Sequence, residues 1–186
     1  MKKILLSIIL FFLFSSVSYA GPCLTTIASA STNQLACADN DILNVTSAGS
    51  ITYNDHKAVD LEDETGVQIT NDGTIETEDG TNKQKAIHAQ SSLNTTITNN
   101  GTINSDNNEG IILDYAENVI ITNNAGATIS AEGNNAISGK NVGNCHFNGA
   151  NCHADLSGQS NGVGLTLHNH GTVSYTHLTL PTNLRV

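Results

Sequence analysis

Apolar residues along this chain recur in short alternating bursts separated by polar linkers. In Val67–Ile75, VQITNDGTI, Val67 and Ile69 point one way and Gln68 and Thr70 the other, the period of a half-buried β-strand. The phrase returns as LNVTSAGSI at Leu43–Ile51, TTITNNGTI at Thr95–Ile103, VIITNNAGATI at Val119–Ile129 and LTLHNHGTV at Leu165–Val173. Its glycines fall at Gly49, Gly73, Gly101, Gly126 and Gly171, in steps of 24, 28, 25 and 45 residues. Small-plus-branched pairs, Ala58-Val59, Ala86-Ile87, Gly110-Ile111 and Ala136-Ile137, sit between the phrases. Each unit therefore holds at least two strand signals, and no stretch sustains a helical period.

A unit of this size cannot bury its apolar face alone, but stacked units can, as a parallel β-helix. Each coil adds one strand spacing, roughly 4.8 Å, and brings equivalent residues over one another. Val67, Thr95, Val119 and Leu165 are expected to form one column, Ile69, Ile97, Ile121 and Leu167 a second, and Ile75, Ile103 and Ile129 a third. Asn71, Asn99, Asn123 and Asn169 fall in one register, with Ser47 taken as the first unit's equivalent, and stacked amides can bond along the axis as a ladder. The glycine after each is expected to supply the backbone freedom, including positive φ, that a sharp corner needs. The step of 45 exceeds the one before it by 20 residues; a loop extruded from one coil, near 141–160, competes with two coils of which one is degenerate.

The two ends read differently. Met1–Ala20 has Lys2 and Lys3, an apolar run from Ile4 to Phe14, and Ser18-Tyr19-Ala20, the pattern of a secretory signal cleaved after Ala20. The run is shorter than the roughly 20 residues needed to span a bilayer. Val173–Thr182, VSYTHLTLPT, resembles the translation of a sequencing-library transposon adapter, so 173–186 are expected to be a non-native tail of low order from Ser174 onward. The natural chain is then expected to continue past Thr172, leaving the β-helix truncated at its C-terminal end. The segments expected are a signal at 1–20, an N-terminal cap with a cysteine pair at 21–42, and β-helix repeats at 43–172.

Composition sharpens this. Of 186 residues, the full chain carries a net charge of −10; between the two ends, four lysines and no arginine face 17 acidic residues, a net charge of −13. Such a body lacks the basic footprint that nucleic-acid binding requires. Tyr53, Tyr115 and Phe147 are the aromatics of that body, which suits a narrow interior of small branched side chains.

The cysteines Cys23, Cys37, Cys145 and Cys152 read as disulfides in an exported protein. Three pairings are possible, and the two local ones are the natural expectation. A Cys23–Cys37 bridge would staple the first coil, where a solenoid's end exposes its core; closing a loop of about 15 residues contributes roughly 3 kcal/mol in the chain-entropy model. Zinc held by Cys145-His146 and Cys152-His153 is the alternative set aside. His168 and His170 read as surface decoration. The acidic run Asp60, Glu62, Asp63 and Glu64 invites calcium, but no calcium-repeat or EF-hand pattern accompanies it, and a solvated turn is preferred. No GxSxG, P-loop or HExxH motif is present, so no catalytic residue, metal or cofactor is expected.

The signal, the Asn/Thr/Gly-rich body and phrases such as ITNDGTI and ITNNGTI together resemble the passenger region of autotransporters, the type V secreted proteins. The resemblance covers roughly Cys23 to Thr172. It implies a right-handed β-helix exported by the Sec machinery, displayed on the surface of a Gram-negative-type bacterium, and followed by an outer-membrane barrel encoded downstream. It implies an adhesive or structural role toward an unknown extracellular ligand. A secreted β-helix polysaccharide lyase or glycosidase is the competing class. An outward threonine array through Thr74 and Thr102 is a weaker third.

Overall fold

The computed structural model describes residues 21–78, 84–139, 142, 145–148, 151–154 and 165–175. The signal segment with Ala20, and 176–186 of the expected tail, lie outside the described residues. The chain winds through three parallel sheets in turn, here called A, B and C, each of six strands. A short first pass consists of β1 (Gly21–Pro22), β2 (Thr25–Ile27) and β3 (Ala30–Ser31). Four full coils follow. They are β4 (Leu35–Ala36), β5 (Ile42–Val45) and β6 (Ser50–Thr52); β7 (Lys57–Asp60), β8 (Gln68–Asn71) and β9 (Thr74–Thr77); β10 (Lys85–His88), β11 (Thr96–Asn99) and β12 (Thr102–Ser105); and β13 (Glu109–Ile112), β14 (Val119–Asn123) and β15 (Thr128–Ala131). A last pass starts with β16 (Ile137–Ser138) and is interrupted by an antiparallel hairpin of β17 (Cys145–Asn148) and β18 (Asn151–Ala154). It ends in β19 (Leu165–Asn169) and β20 (Thr172–Tyr175). The protein is a parallel β-solenoid.

Each coil has three strands, one more than the minimum read from the sequence. The repeated phrase is two strands, β8 and β9 in the unit Val67–Ile75, folded about a corner at Asp72-Gly73. The small-plus-branched pair belongs to the third, in sheet A. Each sheet lays one apolar column along the axis. Leu35, Val59, Ile87, Ile111 and Ile137 stack in A. Leu43, Ile69, Ile97, Ile121 and Leu167 stack in B, and Ile51, Ile75, Ile103, Ile129 and Val173 in C. The isoleucines from Ile51 to Ile129 in the B and C columns are at most 1% exposed. Burying one such side chain contributes about 1.5–3 kcal/mol.

Val119 pairs directly with Leu165, so the long step is one coil and its extra residues, hairpin included, leave and return between β16 and β19. β20 runs to Tyr175, with Ser174 opposite Ser130 and Tyr175 opposite Ala131, three residues into the expected tail and two into the stretch expected to be of low order. A parallel ladder bonds through the backbone and accepts whatever side chains arrive there.

The corner between B and C holds the asparagines. Asn71 Nδ2 donates to Asn99 Oδ1 at 2.8 Å, Asn99 Nδ2 to Asn123 Oδ1 at 2.9 Å, and Asn123 Nδ2 to Asn169 Oδ1 at 2.9 Å. Each amide also donates to the carbonyl just past the next corner, of Thr102, Thr128 and Thr172. Asn71, Asn99 and Asn123 are fully buried. The first coil does not continue the ladder. Val45, not Ser47, stands in register with Asn71, because that corner carries two extra residues. Asn71 Oδ1 is accordingly a buried acceptor with no partner.

The glycines have a different role from the one expected. Gly49, Gly73, Gly101 and Gly171 do not have positive φ. A Cβ on Gly73 or Gly101 would lie 2.1 Å from the carbonyl oxygen of Gly49 or Gly73, one coil back. At these corners glycine allows the close approach of backbones. Gly126 is off the column: Thr102 pairs with Thr128, so Ala127 occupies the equivalent position, and Gly126 has φ of 86° with nothing within 4 Å of an added Cβ. Left-handed backbone collects instead at the corner between A and B, where Asn40, Gly66, Asn94 and Asn118 have φ of 62°, 75°, 54° and 53°. Asparagine and glycine are the residues that enter that region most easily.

Two outcomes follow for stability. Thr95 is fully buried between Val67 and Val119, and its hydroxyl has no partner. Thr95→Val keeps the shape and removes that hydroxyl, so thermal unfolding followed by circular dichroism should show stabilisation of about 1 kcal/mol; a lower Tm would contradict it. Asn99→Ala breaks the ladder on both sides and should destabilise by about 3 kcal/mol, whereas Asn100→Ala, on the exposed outer side of the same corner, should change stability by less than about 1 kcal/mol. Equal effects in denaturant titrations would refute the buried ladder as the stabilising element.

Candidate functional site

The acidic run Asp60–Glu64 is divided by the turn that follows β7. Asp60 ends β7 and Glu62 lies two residues on. Asp60 stands in register with His88 at the end of β10, one coil further along. Lys57, at the start of β7, reaches along its own strand to both acids. Its Nζ is 3.0 Å from Asp60 Oδ2 and 2.9 Å from Glu62 Oε2. His88 Nδ1 is 2.9 Å from Asp60 Oδ1 and 3.7 Å from Glu62 Oε2. Gln90 Nε2 donates to Glu62 Oε1 at 3.2 Å. Asp60, Glu62 and His88 thus turn one ligand atom each into a space where all three lie within 4.8 Å of one another.

Register sets the limits of this cluster. The neighbours of Asp60 and His88 on the outer coils are Ala36 and Ile112. Across the ladder, Asp60 therefore finds a polar partner on β10 alone. Ile112 covers the far side of His88, whose side chain is 6% exposed, while Glu62 at 39% forms the open rim.

The charges hold one another in place. Burial works against the Lys57 ammonium, but hydrogen bonds and charges from Glu62 and Asp60 outweigh it and keep its pKa above the ordinary lysine value. Burial likewise works against the Asp60 carboxylate, but His88 and Lys57 outweigh it and keep its pKa below the ordinary value. The second half of the acidic run behaves oppositely. Glu64 is raised by burial and by Asp39, with Asp41 and Asp63 adding repulsion. Asp39 Oδ1 also accepts from the Thr65 amide at 2.7 Å, and Asp41 Oδ2 from the Ala38 amide at 2.9 Å. Asp63 and Glu64 therefore belong to an acidic turn over the first corner, apart from the cluster.

Cys23 and Cys37 are joined, and both are buried. Pro22 pairs with Ala36, so the two cysteines occupy equivalent positions on successive passes, with Cα atoms 4.4 Å apart. The bridge covers the end of the core above Leu61, the next residue in that column. Cys145 and Cys152 face Ala154 and Phe147 across the hairpin; their side chains lie outside the described residues. His168 and His170 are exposed. Thr74 and Thr102 are axial neighbours in sheet C, continued by Thr128 and Thr172.

Lys57, His88 and Gln90 are the members of the cluster not singled out from sequence. The signal was present: once Ala58-Val59 is aligned with Ala86-Ile87, the next residues are Asp60 and His88. Fold and cluster together define a class, a parallel β-solenoid with a charged cluster on the rim of sheet A. Neither a protein-family model, nor a curated protein, nor a solved structure matches the chain.

The pKa directions fix a pH dependence. Asp60, with its folded pKa depressed, stabilises the fold above about pH 4 and ceases to as pH falls through that depressed value. Lys57, with its folded pKa raised, stabilises below about pH 10 and ceases to as pH rises through the raised value. The Tm advantage of wild type over Asp60→Asn should therefore be level from about pH 6 to 9 and shrink below about pH 4. An advantage that grows on acidification would overturn the assignment.

Proposed function

We propose that this chain is the exported, surface-displayed β-helix passenger of an autotransporter-like protein, acting as a structural or adhesive binding module. The observation that carries the reading is the outer face of sheet B. Asn44, Thr70, Thr98, Thr122 and His168 form one axial column, and Ile42, Gln68, Thr96, Ile120 and Thr166 form the next. Ile42 and Ile120 are 43% and 42% exposed. Hydroxyls, amides and methyl groups are thus offered at intervals of roughly 4.8 Å along a rigid rod. Such an array suits many weak contacts to an extended surface, whose avidity grows with the number engaged. The buried Cys23–Cys37 bridge supports an oxidising destination.

A secreted β-helix lyase or glycosidase is the second reading, and the Lys57–Asp60–Glu62–His88 cluster is what favours it. Its electrostatics weigh against it. A lysine held protonated is a poor general base, and a carboxyl held ionised is a poor general acid. The two acids are already bridged by one ammonium.

The reading is tested by expressing the complete reading frame in a Gram-negative host with its own first 20 residues. The mature N-terminus is expected at Gly21, with the passenger accessible to protease added outside intact cells. Retention inside the cell with Met1–Ala20 attached would reject export and display. Release of reducing or unsaturated sugars from polysaccharides by the purified passenger would move the conclusion to the enzyme reading.

A further inference from the structure

We propose that Asp60, Glu62 and His88 form a zinc site in which the Lys57 ammonium is the displaceable resident cation. The position is already built for positive charge, since one ammonium lies within 3.0 Å of both carboxylates. Two carboxylates share one ammonium there. A divalent ion in its place supplies twice the positive charge. Lys57 has somewhere to go: its side chain is 21% exposed, on a flexible stem at the open rim.

The donor set selects the ion. One imidazole nitrogen and two carboxylate oxygens, with a water in the fourth position, make a zinc coordination sphere. Calcium needs six to eight oxygens, and this cluster offers two carboxylates. Zinc–ligand bonds of about 2.1 Å place tetrahedral ligands roughly 3.4 Å apart. His88 Nδ1 already lies 2.9 Å from Asp60 Oδ1 and 3.7 Å from Glu62 Oε2, so both lengths bracket that value. The remaining adjustment falls on Glu62, the most exposed of the three. Gln90, which donates to Glu62 Oε1, leaves Oε2 turned inward and acts as a positioning residue of the kind that supports metal-ligating carboxylates. The site is separate from the array on sheet B, and it does not depend on that array binding anything.

The test is zinc titration of the untagged full chain by calorimetry, with Co²⁺ absorption reporting the ligand geometry. To remove the second thiol-imidazole set from consideration, the titration is repeated in Cys145→Ser/Cys152→Ser. One zinc per chain is expected in both backgrounds. Lys57→Met should bind at least about tenfold more tightly, because no ammonium has to be displaced. Gln90→Ala should bind about tenfold more weakly. Glu62→Gln and His88→Ala should each lose binding; Glu62 lies on the rim, so its variant decides the matter if His88→Ala does not fold. No stoichiometric zinc in folded wild type would overturn the proposal, including the case where Lys57→Met alone binds, since Lys57 would then be the permanent cation. Binding that survives Glu62→Gln but disappears in Cys145→Ser/Cys152→Ser would overturn it as well.

Discussion

Everything in this molecule depends on the backbone hydrogen bonds between successive coils. A parallel ladder fixes neighbouring strands roughly 4.8 Å apart and allows no slippage without turning every side chain to the other face. Each residue is thereby placed over its equivalent one coil away, and the sequence of a coil is constrained by the coil before it. Branched apolar residues accept this stacking readily, and three columns of them make a core without large aromatics. An asparagine accepts it only if the next coil supplies another, because its amide has both a donor and an acceptor to satisfy. Val45 shows the consequence of a missing rung: the ladder stops at Asn71, and an acceptor is left buried without a partner.

The same constraint separates the four close-approach glycines from the axial row of left-handed residues. Between B and C the chain turns so tightly that Cβ atoms at Gly73 or Gly101 would collide with the coil behind. Between A and B the chain turns through left-handed backbone, which Asn40, Gly66, Asn94 and Asn118 adopt in one axial row. Extra residues are tolerated where they leave the stack. Two are absorbed at the Thr46–Gly49 corner and two more around Ala125–Gly126, and the long insertion departs after β16 with β19 still pairing directly on β14.

The repeat, the parallel stacking and the three apolar columns were legible in the sequence because each is a periodic property, visible wherever two coils are compared. The third strand was hidden because ITNDGTI reads as one alternating segment, and the corner within it costs no change of pattern. Ser47 and Gly126 were misplaced for one reason: aligning the phrases on their glycines ignores corners that carry two extra residues, whereas the ladder aligns the strands. The cluster was half legible. Asp60 and Glu62 stood out by composition, but His88 lies 28 residues away in an otherwise ordinary strand. Its importance comes from register and from no feature of its own neighbourhood.

That difference bears on how a solenoid acquires a localised site at all. A column repeated in every coil gives a ladder or a core, uniform along the axis. A site requires the repetition to fail. Ala36, Asp60, His88 and Ile112 are four successive members of one column, and no two are alike. The ladder that holds them in line is indifferent to their chemistry, so an acid and an imidazole can be placed one strand apart with no change of backbone. Ala36 on one side leaves space, Ile112 on the other shuts out water, and the hydrogen-bonded Asp60 and His88 between them gain a low-dielectric setting that an exposed pair would lack. Lys57 supplies the cation between the two acids, reaching both from the start of the same strand.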